Sequence, residues 1–125
     1  MTVAYPTRET GLDIQESQEG PCVIVRIAGE LDMNAVPRLR AELDAAVERS
    51  RPPLLVLDMT RTTFCDSLGL GLLVGTLTRV RDAGGRLALV VVPGMISRLL
   101  TITNLDHHFE VYGTTEEATA ALKAS

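Results

Sequence analysis

One short stretch of the chain holds the residue types that can do chemistry: Phe64-Cys65-Asp66-Ser67-Leu68-Gly69-Leu70-Gly71. A serine at a helix mouth can act as a cap, a nucleophile or a phosphoryl acceptor. The cap is the plainest reading. Ser67 falls at the N-cap or first position of a helix, where its oxygen can accept a backbone N–H one turn on. A nucleophile needs a base, and none is placed. Ser67 lies outside any G-x-S-x-G elbow. The only histidines are His107 and His108, and nothing in the spacing brings them to Ser67. Asp66 is adjacent in sequence, so its side chain faces elsewhere. No catalytic residue is assigned, and the chain reads as a non-enzyme.

Gly69, Gly71 and Gly75 raise a second possibility, a glycine-rich turn that cradles a nucleotide phosphate. Three features weigh against it. There is no G-x-x-x-x-G-K-[ST], the G-x-G-x-x-x-G spacing departs from the dinucleotide fingerprint, and the strand Leu87–Val92 ends in Pro93-Gly94 rather than an acidic ribose ligand. A small-ligand or nucleotide-binding signalling domain therefore stands as the alternative to a protein-binding module, with a scaffold subunit of a larger signalling assembly as a third. Cys22 and Cys65 are isolated and read as buried small hydrophobes. The histidine pair reads as a solvated loop, so neither a metal nor a cofactor is expected.

These residues belong to one domain of 125 residues with 46% apolar and 22% charged content, the composition of a globular chain. Residues 1–10 read as a flexible polar leader and 11–124 as the domain. With 12 basic against 16 acidic residues the formal charge is −4, and no basic patch stands out for nucleic acid. Aromatic content of 3%, without Trp, offers no stacking platform. No apolar run matches a membrane span and no secretory signal is visible, so a cytoplasmic protein is expected, a monomer or weak homodimer.

The elements that must position Ser67 read as an α/β domain in the order β-β-α-β-α-β-α-β-α. Leu12 and Ile14 alternate with polar residues, Gln18-Glu19-Gly20-Pro21 turns the chain, and Cys22–Ala28 is a β-branched strand, together a hairpin. Gly29–Met33 is expected to break that strand. Asn34 is expected to cap a helix with Pro37 in its first turn, carrying Val36, Leu39, Leu43, Ala46 and Val47 inward and ending near Ser50. Leu54–Asp58 is a buried strand and Arg61–Cys65 a lead into the next helix, near Ser67 to Ala83, ended by Gly84-Gly85. A strand at Leu87–Val92, a helix with Ile96, Leu99 and Leu100 inward, a short strand at Phe109–Tyr112 and a last helix follow. Thr114 and Glu117 form the capping box of that last helix. Alternation of strands and helices predicts a mostly parallel sheet with an antiparallel N-terminal hairpin strand and four helices.

At about 100° per residue, Leu70, Leu73, Val74, Leu77 and Val80 share one stripe of the Ser67 helix, the expected core face. Leu68, Leu72, Gly75 and Arg79 lie opposite. Two leucines on an outer face beside a serine predict a small docking patch.

The block Asp66-Ser67-Leu68-Gly69-Leu70-Gly71, with Phe64 two residues earlier, resembles the signature of the anti-sigma factor antagonists, the stand-alone STAS domains. Gly29-Glu30-Leu31-Asp32 and the strand Leu54-Val56-Leu57-Asp58 agree in order and spacing, and the resemblance covers roughly residues 11–124. It implies a binding module without a cofactor. When unphosphorylated, such a protein binds an anti-sigma factor that is also a serine kinase, and so releases a sigma factor. It is phosphorylated on the serine that here is Ser67, and is restored by a PP2C-type phosphatase. The resemblance carries Asp32 to the same surface. Asp66, Leu68, Gly69 and Leu72 are the further expected partner contacts. Leu68 stands where many relatives carry Ser or Thr, which leaves Ser67 the sole acceptor at this helix mouth.

Overall fold

The computed structural model describes residues 11–124, so the leader expected over residues 1–10 lies outside the described residues. The strands are β1 (Leu12–Glu19), β2 (Cys22–Leu31), β3 (Leu54–Cys65), β4 (Arg86–Val90) and β5 (Glu110–Tyr112). The helices are α1 (Val36–Glu48), α2 (Ser67–Asp82), α3 (Met95–Ile102) and α4 (Thr115–Lys123), with a 3-10 turn at Leu105–His107 that the sequence reading did not include. The strands lie in the order β1-β2-β3-β4-β5. β1 runs antiparallel to β2, and β2 through β5 are parallel. The expected fold class and order hold.

Strand periodicity divides the burial between two faces. Val23, Val25, Ile27, Leu55, Leu57, Met59, Leu87 and Leu89 form one face. It packs against α1, α2 and α3 through residues such as Leu39, Leu43, Leu73, Val80 and Leu100. Cys22, Ile24, Val56, Ala88 and Val90 form the other face, which α4 covers with Ala118 and Leu122. The parallel strands are apolar on both faces because both are covered.

Two strands run further than expected. β2 does not break at Gly29; it continues to Leu31, with β3 alongside as far as Leu31 opposite Cys65. Gly29 sits inside the strand at φ +106°, and a Cβ there would stand 2.1 Å from the Gly11 carbonyl oxygen. The glycine thus permits close approach of β1 and a shift of register, rather than ending the strand. β3 likewise extends through Arg61–Cys65. Its threonines bond across to β2: the Thr62 hydroxyl donates to the Ile27 carbonyl at 3.1 Å and the Thr63 hydroxyl to Gly29 at 3.2 Å. The last two strands are shorter than expected, with Phe109 buried just ahead of β5.

α1 keeps Val36, Leu39, Leu43 and Ala46 buried, with Pro37 in its first turn. Its cap is corrected. The N-cap position is Ala35, without a side-chain bond, and Asn34 is exposed. Asp32 instead holds the turn ahead of the helix, accepting the N–H groups of Asn34 and Ala35 on Oδ1 at 3.0 and 3.2 Å. The box of α4 holds: the Thr114 hydroxyl accepts the Glu117 N–H at 3.1 Å, and the Glu117 carboxylate accepts the Gly113 N–H at 3.2 Å.

The short β5 is pinned by charge. Arg86 donates through Nε and Nη2 to both oxygens of Glu110, at 2.9 and 2.6 Å, and the Tyr112 hydroxyl donates to the same carboxylate at 2.9 Å. The hydrogen bonds from Arg86 hold the Glu110 carboxyl below the usual carboxylate range, against the opposing pull of burial. Stability from this pair is present above the unfolded carboxyl pKa and is lost as pH falls through the lowered folded one. Urea midpoints measured from pH 7 down to pH 3 are expected to show Glu110→Gln less stable at neutral pH and shallower in its acid decline.

Candidate functional site

Parallel strands end side by side, so the turns that follow them cluster at one edge of the sheet, where open α/β sheets bind ligands and partners. Here β2 delivers Asp32 and Met33 to that edge, and β3 delivers Phe64, Cys65 and Asp66, directly ahead of α2. The Asp66 N–H donates to the Leu31 carbonyl at 3.2 Å, which carries the ladder between the strands one step past its end.

Asp66 is the N-cap of α2, with extended backbone. Its Oδ1 accepts the Gly69 N–H at 2.9 Å, and its Oδ2 accepts the Met33 N–H at 3.0 Å. One carboxylate therefore closes the helix end and holds the β2–α1 turn against it. Ser67 is the first helical residue and does not cap. It is exposed, as are Leu68 at 55%, Met33 at 62% and Phe64 at 42%. Leu70 N–H makes the first helical bond, to the Asp66 carbonyl at 3.0 Å, so the N–H groups of Ser67 and Leu68 precede the ladder at the open end.

Two expected contacts are corrected. Leu72 is not on the outer face; it is 3% exposed and belongs to the core. The inward arc of α2 is Gly69, Leu72, Leu73, Thr76, Leu77 and Val80, while Val74, expected inward, is 40% exposed. Gly69 and Thr76 rotate the arc although neither is apolar. The Thr76 hydroxyl donates to the Leu72 carbonyl at 2.8 Å, which satisfies it in the core. Gly69 is buried too. A Cβ there would lie 2.9 Å from the Leu31 carbonyl oxygen, Leu31 Cγ and Cys65 Sγ. It is a packing glycine under the helix mouth, not an exposed contact. Gly71 and Gly75 sit in the continuous body of α2 with open space where a Cβ would go, so no phosphate-cradling loop exists here.

Beneath the site, burial pushes the Cys65 thiol up to about 12, with the neighbouring Asp66 charge adding to it. It packs as an inert hydrophobe at neutral pH. His107 and His108 are exposed at the 3-10 turn. Among the described residues no group of His, Cys, Asp and Glu is arranged to hold a metal ion, and no helix is long and apolar enough to cross a membrane. The sequence reading did not single out Met33. It lies in a turn without periodicity, and only the long strand β2 reveals where that turn lands.

The STAS domain family model matches residues 13–118. The chain belongs to the STAS domain family. An anti-sigma F factor antagonist of Paenibacillus polymyxa is 30% identical over 112 residues, 90% of this chain and 96% of that protein. A solved anti-sigma factor antagonist from Mycobacterium paratuberculosis superposes with TM-score 0.82 at 28% identity, covering 90% of this chain and 94% of the other. The anti-sigma factor antagonist SpoIIAA, solved in its unphosphorylated form, matches with TM-score 0.71 at 25% identity over 90% of this chain and all of its own. The same Bacillus protein in its phosphorylated form gives 0.67 at 25% identity over 87% and 98%.

Unequal roles for adjacent residues are measurable by urea denaturation. Asp66→Ala removes the carboxylate that accepts two backbone N–H groups, those of Gly69 and Met33, and is expected to cost about 1–2 kcal/mol. Ser67→Ala is expected to stay within about 0.5 kcal/mol of the parent.

The glycines divide in the same assay. Gly69→Ala forces carbon into filled space and is expected to cost about 1–3 kcal/mol. Gly71→Ala enters open space and is expected to add about 0.5–1 kcal/mol.

Proposed function

We propose that this STAS domain is an anti-sigma factor antagonist whose Ser67 is the phosphorylation switch. Unmodified, it sequesters an anti-sigma factor that is also a serine kinase, and a sigma factor is released. Phosphorylated on Ser67, it lets go, and a PP2C-type phosphatase restores it. The chain acts in the cytoplasm, by binding rather than by catalysis. The observation that carries this reading is the exposed Ser67 at the first position of α2, freed from capping by Asp66 and set among exposed Met33, Phe64 and Leu68. The likeness to anti-sigma factor antagonists along 90% of the chain supports it.

Asp32, Asp66 and Leu68 form the partner face, with Gly69 and Leu72 supporting it from beneath. A phosphate on Ser67 adds about −1.5 to −2 charges and three acceptor oxygens. The helix N-terminus tolerates it, because the first N–H groups and the helix dipole favour an anion. Binding is what it opposes. Exposed to water, two like charges about 6 Å apart repel by about 0.7 kcal/mol; covered by a partner, at an effective dielectric near 20, by about 3 kcal/mol. Asp32 and Asp66 both contribute, and the phosphate must also be stripped of water against an apolar rim. A penalty of this size weakens binding by on the order of a hundredfold.

A pull-down tests this with the parent chain, Ser67→Ala and Ser67→Asp as baits, with phosphopeptide mapping after incubation with the retained kinase. Ser67→Ala is expected to hold the kinase whether or not ATP is present, and Ser67→Asp to bind on the order of a hundredfold more weakly. Phosphate found at a residue other than Ser67 refutes the assignment.

A further inference from the structure

α4 covers only part of its sheet face. Its nine residues span about 14 Å at about 1.5 Å per residue, whereas the twelve of β3 extend about 40 Å at about 3.3 Å per residue. Ile24 and Val56 lie under the helix. The next residues on the same face, Arg26, Ala28, Asp58 and Thr60, are polar or small and lie outside the cluster that α4 buries. A cleft of about 320 Å³ opens there, between Asp13 and Gln15 on β1 and Asp58, Thr60 and Arg61 on β3, with the short side chain of Ala28 between them. The register explains the opening. Asp13 pairs with Ala28 and Ala28 with Arg61, while Arg26 pairs with Asp58, so β3 advances three residues (58 to 61) where β2 advances two (26 to 28). That bulge sets Thr60 and Arg61 together at one lip of the cleft.

The charges around Ala28 are incompletely matched. Asp58, whose side chain is only 13% exposed, accepts the Thr60 N–H on Oδ1 at 2.9 Å. Its Oδ2 has no hydrogen-bond donor among the described residues: Arg26 Nε stands 3.7 Å away, and Arg26 Nη1 donates instead to the Ser17 hydroxyl at 2.8 Å. A carboxylate oxygen withdrawn from water without a donor carries a cost that a ligand N–H relieves. Asp13 and Arg61 make no ion pair among the described residues. They flank Ala28 with their backbones about 10 Å apart, two strand spacings. Two carboxylates and two guanidiniums line the cleft, so their charges sum to zero. A lone anion gains from Arg61 but meets Asp13 and Asp58, and a lone cation meets the reverse. A ligand carrying both charges finds a partner for each.

We propose that this cleft binds a small zwitterionic amino acid, with its ammonium between Asp58 Oδ2 and the Asp13 carboxylate and its carboxylate on the Arg61 guanidinium. An ammonium offers three donors to the two carboxylates, and a guanidinium takes a carboxylate through two parallel bonds. The volume lies at the small end of the range for ligand pockets, about 300–1,000 Å³, which limits the ligand's side chain to a few atoms. The cleft stands on the α4 face of the sheet, and the inference holds whether or not Ser67 is a switch.

L-alanine, acetate and ethylamine, each titrated at constant ionic strength and neutral pH into the isotope-labelled full-length chain, test the site. L-alanine is expected to move the amide NMR signals of Ala28, Thr60 and Arg61 saturably, with half-saturation on the order of 1 mM, and to leave those of Ala118 and Leu122 in place. Acetate and ethylamine, each carrying one of the two charges, are expected to bind at least about tenfold more weakly. Arg61→Gln and Asp13→Asn each remove one charge from the lips of the cleft. Each is expected to weaken L-alanine binding by about tenfold or more, while the rest of the spectrum stays that of the parent. Shifts that rise linearly without saturation, that acetate or ethylamine alone reproduces in full, or that either variant retains undiminished overturn the site.

Discussion

The carboxylate of Asp66 joins three pieces of backbone that would otherwise end separately. β3 stops at Cys65, the turn after β2 passes through Met33, and α2 opens at Ser67; Asp66 bonds to the last two and continues the ladder of the first. A helix end left without acceptors exposes unpaired N–H groups, and a serine at the mouth would ordinarily be drawn in to meet them. Asp66 meets the Gly69 N–H, so the capping falls to Asp66 and Ser67, one position further on, stays exposed. Asp32 holds the turn ahead of α1, accepting the Asn34 and Ala35 N–H groups. Two adjacent carboxylates thus fix both turns at the sheet edge and give that edge its negative character.

Packing beneath the edge is as restrictive as the hydrogen bonds above it. Gly69, Leu31 and Cys65 meet so closely that one carbon added to Gly69 would overlap both of the others. The mouth of α2 is therefore seated on the ends of β2 and β3 at a distance only glycine allows. The Cys65 thiol sits in this same contact, and its burial disfavours the thiolate and raises its pKa.

Much of this was legible in the residues. The element order, the hairpin, the helix start at Ser67 and the Thr114–Glu117 box all follow from local patterns, because each is decided by periodicity or by side-chain bonds within one turn. What escaped was decided by partners far along the chain. Gly29, Glu30, Thr62 and Thr63 are strand because a neighbouring strand accepts their groups, not because their own types favour it. Asn34 and Asp32 are both competent caps, and the choice between them depends on where β2 ends. The face of α2 turned because Gly69 and Thr76 count as polar or neutral in any hydrophobic pattern, yet one is required by contact and the other satisfies its hydroxyl on its own helix.

That combination bears on how a charge placed at Ser67 would be felt. The helix cannot shift inward, because the space below Gly69 is full, and it has little reason to shift outward, because the N–H groups of Ser67 and Leu68 already stand open to receive an anion. A modification at the hydroxyl leaves the strands and the core where they are and alters only the potential and volume above the helix mouth. The consequence must therefore fall on whatever covers that surface, and a change of interface energy needs no second conformation of the fold to carry it.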